Sequence, residues 1–168
     1  MKEIDLQTFK AHARTKRKEN KKYFQKLKKA KSKNLDPYFH PLHEVVFERL
    51  DCLDCANCCK TTSPIFTKRD IERIAKSMKL KPAQFIETYL RIDEDEDYVL
   101  KTSPCPFLES DNKCRIYEDR PKACREYPHT NRKAMHKILD LTYRNTMVCP
   151  AVFEIVEELK QVLPPYKI

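Results

Sequence analysis

The chain is 168 residues long, contains eight cysteines and no glycine, and carries a net charge of +9. The P-loop and the dinucleotide-binding fingerprint both use glycine to bring the backbone close to phosphate, so the composition excludes these nucleotide sites in their usual form. No apolar run approaches the roughly 18 residues that a membrane-spanning helix needs. The sequence therefore predicts no membrane partner.

The start of the chain bears on the compartment. The first twenty residues lack the apolar segment of a signal peptide, which predicts a cytoplasmic protein. Cytoplasmic cysteines are kept reduced, so eight of them indicate metal ligation or catalysis more than a disulfide framework. A chain of this length builds only a modest core, and a bound metal would stabilise it further.

A basic arm occupies residues 1–33, where thirteen Lys and Arg face three acidic residues. The net charge of the arm is +10, and the remaining 135 residues sum to −1. Tyr23, Phe24 and Leu27 recur at near-helical spacing, which predicts an amphipathic helix. Two roles stay open: docking on the core, or binding a polyanion such as nucleic acid. We predict a basic helical arm at residues 1–35 and a cysteine-cluster domain at residues 36–168.

Downstream of the arm, the patterns predict helices, an acidic loop and a hairpin. A linker covers residues 34–41, and helices begin at Pro41, after the Thr67 and Asp70 capping box, at Pro82 and at Pro150. The acidic residues 93–97 form a solvated loop, and the hairpin lies between residues 99 and 116 with its turn at Asp111 and Asn112. The predicted fold class is mainly α: a small irregular cysteine-rich domain with a short β-hairpin and an N-terminal basic helical arm.

The cysteines carry the chemistry. Four of them follow C-x2-C-x2-C-C spacing, namely Cys52, Cys55, Cys58 and Cys59. Two intervening residues let a backbone turn point both thiolates at one ion. The adjacent Cys58 and Cys59 project differently, which predicts two centres or one polynuclear centre. Four more cysteines are dispersed downstream: Cys105, Cys114, Cys124 and Cys149. We predict that all eight ligate metal, and that Cys124 and Cys149 meet the first run in space.

The spacing favours an iron-sulfur cluster over zinc. Three closely spaced cysteines and a remote Cys-Pro are typical of bacterial ferredoxins, and both Cys105-Pro106 and Cys149-Pro150 suit the remote role. Zinc sites usually combine two separated C-x2-C pairs, and the second half of the chain has none. Zinc stays open as the alternative.

Several separated motifs resemble one known family. The CxxCxxCC run, CPFL at residues 105–108, CRIYEDRPKACREYP at residues 114–128 and the final CP at residues 149–150 are similar to the bacterial YkgJ-type cysteine-cluster family. That resemblance implies zinc or iron chelation, with all eight cysteines at the family's cysteine positions. A similar module occurs in flagellin lysine methylases, which implies an iron-sulfur cluster. The chain departs from the pattern in its basic arm and in Ala56-Asn57, where the family often has glycine.

Four other residues within or just beyond these motifs have two readings. Arg120, Arg125 and Tyr127 are either structural, with the two arginines neutralising the thiolates, or functional, with Arg125 binding an anionic substrate or a methyl-donor carboxylate. His129 is either a surface residue or a ligand or acid-base group.

The function stays open among three classes: a redox or cluster-assisted protein, a structural zinc-binding module, and a nucleic-acid-associated protein. No catalytic triad, metalloprotease helix or pair of catalytic carboxylates is visible, so the sequence assigns neither a reaction nor a protein partner.

Overall fold

The computed structural model describes residues 5–30 and 34–168. Within them, the protein is mainly α with one short antiparallel hairpin, as the sequence predicted. A 3-10 helix spans Met135–Ile138. The elements in chain order are α1 (Leu6–Lys29), α2 (Asp36–Phe47), α3 (Cys52–Cys55), α4 (Asn57–Thr61), α5 (Lys68–Ser77), α6 (Pro82–Tyr89), β1 (Leu90–Ile92), β2 (Tyr98–Leu100), α7 (Lys122–Glu126), α8 (Leu139–Asn145) and α9 (Pro150–Val162).

The described residues separate into two compact units. The first unit contains the described residues up to Cys55 together with Pro128–Ile168, and the second unit is Ala56–Tyr127. The predicted boundary after residue 35 lies inside the first unit. The cysteine run is divided, because Cys55 and Ala56 belong to different units. None of the helices in residues 5–30 and 34–168 combines the length and apolar character of a bilayer-spanning segment.

α1 is an amphipathic helix whose apolar face is buried in the first unit. The Asp5 carboxylate caps its first turn by accepting hydrogen bonds from the N–H groups of Gln7 and Thr8 at 2.9 and 3.2 Å. The Tyr23 hydroxyl donates to the Leu163 carbonyl, just beyond α9, at 2.9 Å. The buried residues recur at helical spacing: Phe9, Ala13, Asn20, Tyr23, Phe24 and Leu27. The predicted basic helix thus forms and packs on its unit.

α2 begins earlier than the sequence predicted. The expected linker at residues 34–41 is wrong from Asp36 onward, because the helix starts there and contains Pro41. Pro37 occupies the first turn, where its missing N–H costs nothing, and Pro41 removes one backbone hydrogen bond. The Asp36 carboxylate accepts hydrogen bonds from the N–H groups of Ala134 and Met135, both at 2.8 Å, and Phe39 is fully buried. Tertiary packing therefore outweighs the cost of the internal proline.

The first unit is organised around α9. This helix begins at Pro150, as predicted, because proline is favoured in a first helical turn. Its apolar face packs against α1 and α2, and Val152, Ile155 and Leu159 are fully buried there. The core of the unit also includes Tyr23, Phe24 and Leu27 of α1 and Leu139 of α8.

The second unit has a separate core. Thr67 caps α5 by accepting from the Asp70 N–H, and the Asp70 carboxylate accepts from the Thr67 N–H, so the predicted capping box is confirmed. α6 begins at Pro82, as predicted, and packs against α5. The buried residues of this core are Phe66, Ile71, Ile74, Ala75, Phe85, Leu90, Leu100, Phe107 and Ile116.

The hairpin lies earlier than the sequence predicted. β1 and β2 pair with Leu90 opposite Leu100, so the acidic residues 93–97 are the turn of the hairpin. The hairpin expected between residues 99 and 116 is reduced to one isolated antiparallel bridge, between Leu108 and Cys114, which spans the predicted turn at Asp111 and Asn112. Leu90 and Leu100 are both buried, and this burial fixes the register of the two strands. The acidic residues between them gave no sign of this pairing in the sequence.

Without glycine, the chain places other residues in the left-handed region of the backbone. Ala56, at the start of α4, has φ 46° and ψ 19°. Alanine pays about 1–2 kcal/mol for this conformation, because its Cβ crowds the following carbonyl oxygen. The other described residues with positive φ are Lys79, Glu96, Asn112, His129 and Ala134.

Candidate metal centre

Three cysteines of the first unit form one group. Cys52 and Cys55 are the first and last residues of α3, and Cys55 is buried. Cys149 is the N-cap of α9, and its N–H donates to the Asn145 carbonyl at 2.8 Å. Burial, with smaller contributions from the charges of Cys52 and Cys55, raises the pKa of the Cys149 thiol to about 12. The sulfur of Cys149 therefore lies within electrostatic range of the first half of the run.

The N-terminus of α9 favours a thiolate on Cys149. The backbone N–H groups of Val152 and Ala151 hydrogen-bond its sulfur and lower the pKa, although burial outweighs them. The positive end of the helix dipole acts in the same direction. A cation bound to the sulfur would remove the remaining cost of ionising a buried thiol.

The second unit holds the remaining five cysteines. Cys58 and Cys59 are adjacent in α4, with their Sγ atoms 4.0 Å apart. A hydrogen bond from the Cys58 thiol lowers the pKa of Cys59. The Cys105 N–H donates to the Cys59 carbonyl at 2.8 Å, which fixes the CPFL segment against α4. Cys114 follows in the bridge with Leu108, and Cys124 lies within α7.

Four of these sulfurs form a second group. Burial, with smaller contributions from the charges of Cys59, Cys105 and Cys114, raises the pKa of Cys124 to about 12. Burial likewise raises the pKa of Cys105 to about 11, with Cys59 and Cys114 adding to the effect. Four segments distant in sequence therefore bring their sulfurs into one electrostatic neighbourhood.

Arg120 supplies positive charge beside this second group. Its charge lowers the pKa of both Cys114 and Cys124, against the larger effect of burial. The guanidinium is held in place because it donates to the Tyr117 carbonyl at 2.6 Å and lies 3.7 Å from the centre of the Tyr117 ring. These contacts support the charge-neutralising reading of Arg120. Arg125, by contrast, is exposed on the short helix α7.

An ion pair holds the helix that carries Cys124. The Asp70 carboxylate accepts from the Lys122 N–H, at the start of α7, at 3.1 Å and from the Arg73 guanidinium at 2.7 Å. Arg73 also donates to the carbonyls of Asp119 and Arg120 at 3.2 and 3.1 Å. Sequence reasoning identified Asp70 only as a cap of α5. Its second role depends on residues some fifty positions away, for which the local pattern holds no signal.

The donor set suits both metals under consideration. Thiolates are the ligands of iron-sulfur clusters and of many structural zinc sites, and backbone N–H groups hydrogen-bond the sulfurs of Cys105, Cys114 and Cys149. Among the described residues 5–30 and 34–168, no three His, Cys, Asp or Glu side chains are already arranged to hold one metal ion. No disulfide joins any of the eight cysteines. The charge effects on the cysteine pKa values place seven of the eight sulfurs in two neighbourhoods.

His129 and Tyr127 lie at the junction of the two units along the chain. Tyr127 ends α7, and His129 has a φ of 67°. Thr130, the next residue, accepts or donates a 2.7 Å hydrogen bond with His43, a histidine that the sequence patterns did not single out. Burial lowers the pKa of His43, so its ring favours the neutral form.

Comparison with known proteins gives one family. Residues 51–149 match the model of the CxxCxxCC family, described as "Putative zinc- or iron-chelating domain". Uncharacterized protein MJ0661 of Methanocaldococcus jannaschii is 34% identical over 95 residues, which is 55% of this chain and 50% of the relative. The chain thus spans about half the length of that curated relative. No solved structure matches the chain.

Proposed function

Because the chain belongs to the CxxCxxCC family, we propose that its eight cysteines bind metal and that the metal is an iron-sulfur cluster with a redox or cluster-assisted role. The observation that carries this proposal is the second sulfur group, in which the charges of Cys59, Cys105 and Cys114 contribute to the raised pKa of Cys124. Four thiolates are a complete protein ligand set for a [2Fe–2S] or [4Fe–4S] cluster. The proposal assigns no reaction and no protein partner.

The arrangement of the sulfurs favours two centres. Cys52, Cys55 and Cys149 form the group of the first unit, and Cys59, Cys105, Cys114 and Cys124 form the group of the second. Cys58 is the eighth thiolate, next to Cys59. A structural zinc site typically uses two separated C-x2-C pairs, in each of which the two cysteines are close in sequence. Here the second group draws each sulfur from a different segment, which is the observation that favours a cluster over zinc.

Reduced thiolates are a requirement of either metal. The absence of disulfides among the eight cysteines is consistent with ligation. We therefore extend the proposal to a reducing compartment, the cytoplasm, where thiols persist.

Anaerobic purification followed by analysis of iron, acid-labile sulfide and zinc tests the metal. The expected result is iron with equimolar sulfide and a broad visible absorption band that bleaches on reduction. Colourless protein with stoichiometric zinc and no sulfide, even after reconstitution, would contradict the cluster and indicate a structural zinc site. In that case chelation should unfold the protein, because metal binding and folding are coupled.

Single substitutions test the number of centres. Cys124→Ser and Cys149→Ser remove one sulfur from each group, so each variant should lose the metal of its own group and retain the other. Exposed Ser77 on α5 provides the control, because Ser77→Ala should leave the metal content unchanged. Complete loss of metal in both cysteine variants would indicate a single centre.

A second candidate function concerns the basic arm, residues 1–33, as a polyanion-binding segment. The observation that favours it is that α1 keeps its lysines and arginines exposed while its apolar residues are buried. Salt-dependent retention of the full chain on heparin tests this proposal. Elution at the same salt concentration as a neutral protein would reject it.

A further inference from the structure

α1 presents a continuous basic face on the side opposite its buried residues. At 100° per residue, eight exposed basic residues lie within an arc of about 140°; one of them, Lys28, pairs with Asp140, and the other seven form no ion pair among the described residues. The buried residues, including Phe9, Asn20 and Leu27, occupy a separate arc roughly opposite. We call the seven residues the α1 basic face: Lys10, Arg14, Arg17, Lys18, Lys21, Lys22 and Lys29.

The charges of this face are not neutralised within the described part of the protein. The α1 cations that form ion pairs there are Lys16, with Glu19, and Lys28, with Asp140. Neither belongs to the α1 basic face. Glu19, the acidic residue of α1, also pairs with Lys160 and is therefore directed away from these charges. Seven positive charges consequently remain on one side of a single rigid helix.

The length of the α1 basic face suits a partner that carries regularly spaced negative charges along an extended axis. Lys10 and Lys29 are 19 residues apart, which corresponds to about 29 Å along an α-helix. Double-stranded nucleic acid carries one negative charge per about 1.7 Å of its axis, and about eight base pairs extend over the same length. We propose that the α1 basic face binds the sugar-phosphate backbone of double-stranded nucleic acid. This inference rests on the proposed polyanion binding and narrows it to one partner.

Other polyanions fit the face less well. Single-strand binders add aromatic side chains on which bases stack, whereas Phe9, Tyr23 and Phe24 of α1 are all buried. Helices that bind membrane surfaces insert an apolar face between lipids, and the apolar face of α1 is packed inside the first unit. Five of the seven residues are lysines, which act on phosphate as point charges, so the binding should not depend on base sequence.

A salt titration of the full chain on a 16-base-pair DNA duplex tests the proposal. If five to seven phosphates are neutralised, log K should fall against log salt with a slope between about −4.5 and −6.3, at about −0.9 per phosphate. The triple variant Arg14→Gln, Arg17→Gln and Lys21→Gln should make the slope shallower by about 2.7, at about 0.9 for each contact removed. Circular dichroism of the variant should remain helical, because all three side chains are exposed.

A matched variant on α5 controls for net charge. Lys68→Gln, Arg69→Gln and Lys76→Gln remove the same charge from exposed positions of another helix and should leave the slope unchanged. An equal change in both variants would overturn the proposal, because net charge rather than the α1 basic face would then drive binding.

Three further probes separate this inference from general polyanion binding. Single-stranded DNA of equal length, vesicles of phosphatidylserine and phosphatidylcholine, and heparin are compared at one salt concentration. The duplex should bind more tightly than the single strand and the vesicles. Retention on heparin with no preference for the duplex would overturn the duplex proposal and leave polyanion binding intact, whereas loss of both would reject the two together.

Discussion

The carboxylate of Asp70 accepts a hydrogen bond from the backbone N–H of Lys122 at 3.1 Å, and this contact joins the first turn of α5 to the first turn of α7. Burial raises the pKa of the Asp70 carboxyl. Hydrogen bonds from Thr67, Arg73 and Lys122 outweigh this effect, so the pKa is lowered from its ordinary value. One ionised carboxylate therefore fixes the helix that carries Cys124.

We predict that Asp70→Ala lowers the free energy of unfolding by about 3 kcal/mol, because it leaves Arg73 without its carboxylate and α7 without its anchor. The metal of the second sulfur group should be lost with it, since Cys124 would no longer be held. Denaturant unfolding and elemental analysis measure both effects. Glu72→Ala, at an exposed site of the same helix, should change stability by less than about 0.5 kcal/mol. Full metal content in the Asp70 variant would contradict the positioning role.

Ala56→Gly should stabilise the protein by up to about 1 kcal/mol, because glycine adopts φ 46° without the steric cost that alanine pays. The gain is partly offset by the greater freedom of glycine in the unfolded chain. Ala11→Gly, in the exposed middle of α1, should have the opposite effect and destabilise by about 1 kcal/mol. Thermal unfolding of both variants checks the pair, and destabilisation by both would mean that Ala56 is not strained.

Removal of residues 1–34 should prevent stable folding of the first unit. Tyr23, Phe24 and Leu27 of α1 are each at most 2% exposed and belong to the core of this unit. Burying three such side chains contributes about 5–9 kcal/mol, which is comparable to the whole stability of a domain. Phe24→Ala provides a milder test, with an expected loss of about 3–5 kcal/mol. A truncated chain that unfolds cooperatively and retains metal would show instead that the arm is separable from the folded domain.

The metal-free protein should lose stability above pH 9. Burial raises the pKa of Cys105 to about 11 and those of Cys124 and Cys149 to about 12, from an ordinary value of 9.0. A folded state with raised pKa values holds these protons more tightly than the unfolded chain, so their contribution is complete below pH 9 and is lost as the pH rises toward 12. Cys59 acts in the opposite sense, because its lowered pKa favours folding above pH 9 and that contribution disappears as the pH falls through about 7.

Thermal unfolding of apo-protein between pH 7 and 11 measures this dependence. Other groups titrate in the same range, so the comparison is with Cys124→Ser, whose melting temperature should fall less steeply above pH 9. The metal-loaded protein should also show a shallower fall, since its ligand sulfurs no longer bind protons. Parallel curves for the wild type and Cys124→Ser would exclude the cysteine contribution.

The sequence predicts best where the determinants are local. The Thr67 and Asp70 pair defines the start of α5, and Pro82 and Pro150 mark the starts of α6 and α9, because capping and proline geometry act within one helical turn. Pro41 misled the prediction of α2, since the burial of Phe39 and the contacts of Asp36 with the 3-10 helix are tertiary. The pairing of β1 with β2 was missed for a similar reason, because short strands are specified by burial on the core more than by turn residues. The turn at Asp111 and Asn112, which was predicted, closes a single antiparallel bridge.

The site shows the same division. The spacing of the run nominated four cysteines, and residue type together with the family resemblance nominated the other four. Their separation into two groups depends on which segments fold together. Ala56 lies at the point where the run passes from one unit to the other, and its left-handed backbone is specified by no residue preference, since alanine disfavours it. Asp70 and Arg73 were missed as anchors because their partners, at the start of α7 and in the residues just before it, lie about fifty positions away in the sequence.

The second unit is a contiguous segment, whereas the first is assembled from both ends of the chain. During synthesis, Cys59, Cys105, Cys114 and Cys124 are all added to the chain before Cys149 and α9. At about 5–20 residues per second, the 38 residues from Cys124 to Val162, the last residue of α9, take roughly 2–8 s to be made. The core of the first unit must wait for α9, which supplies Val152, Ile155 and Leu159. All sulfurs of the second group are therefore made before the first unit can complete its core, so translation favours formation of the second group first.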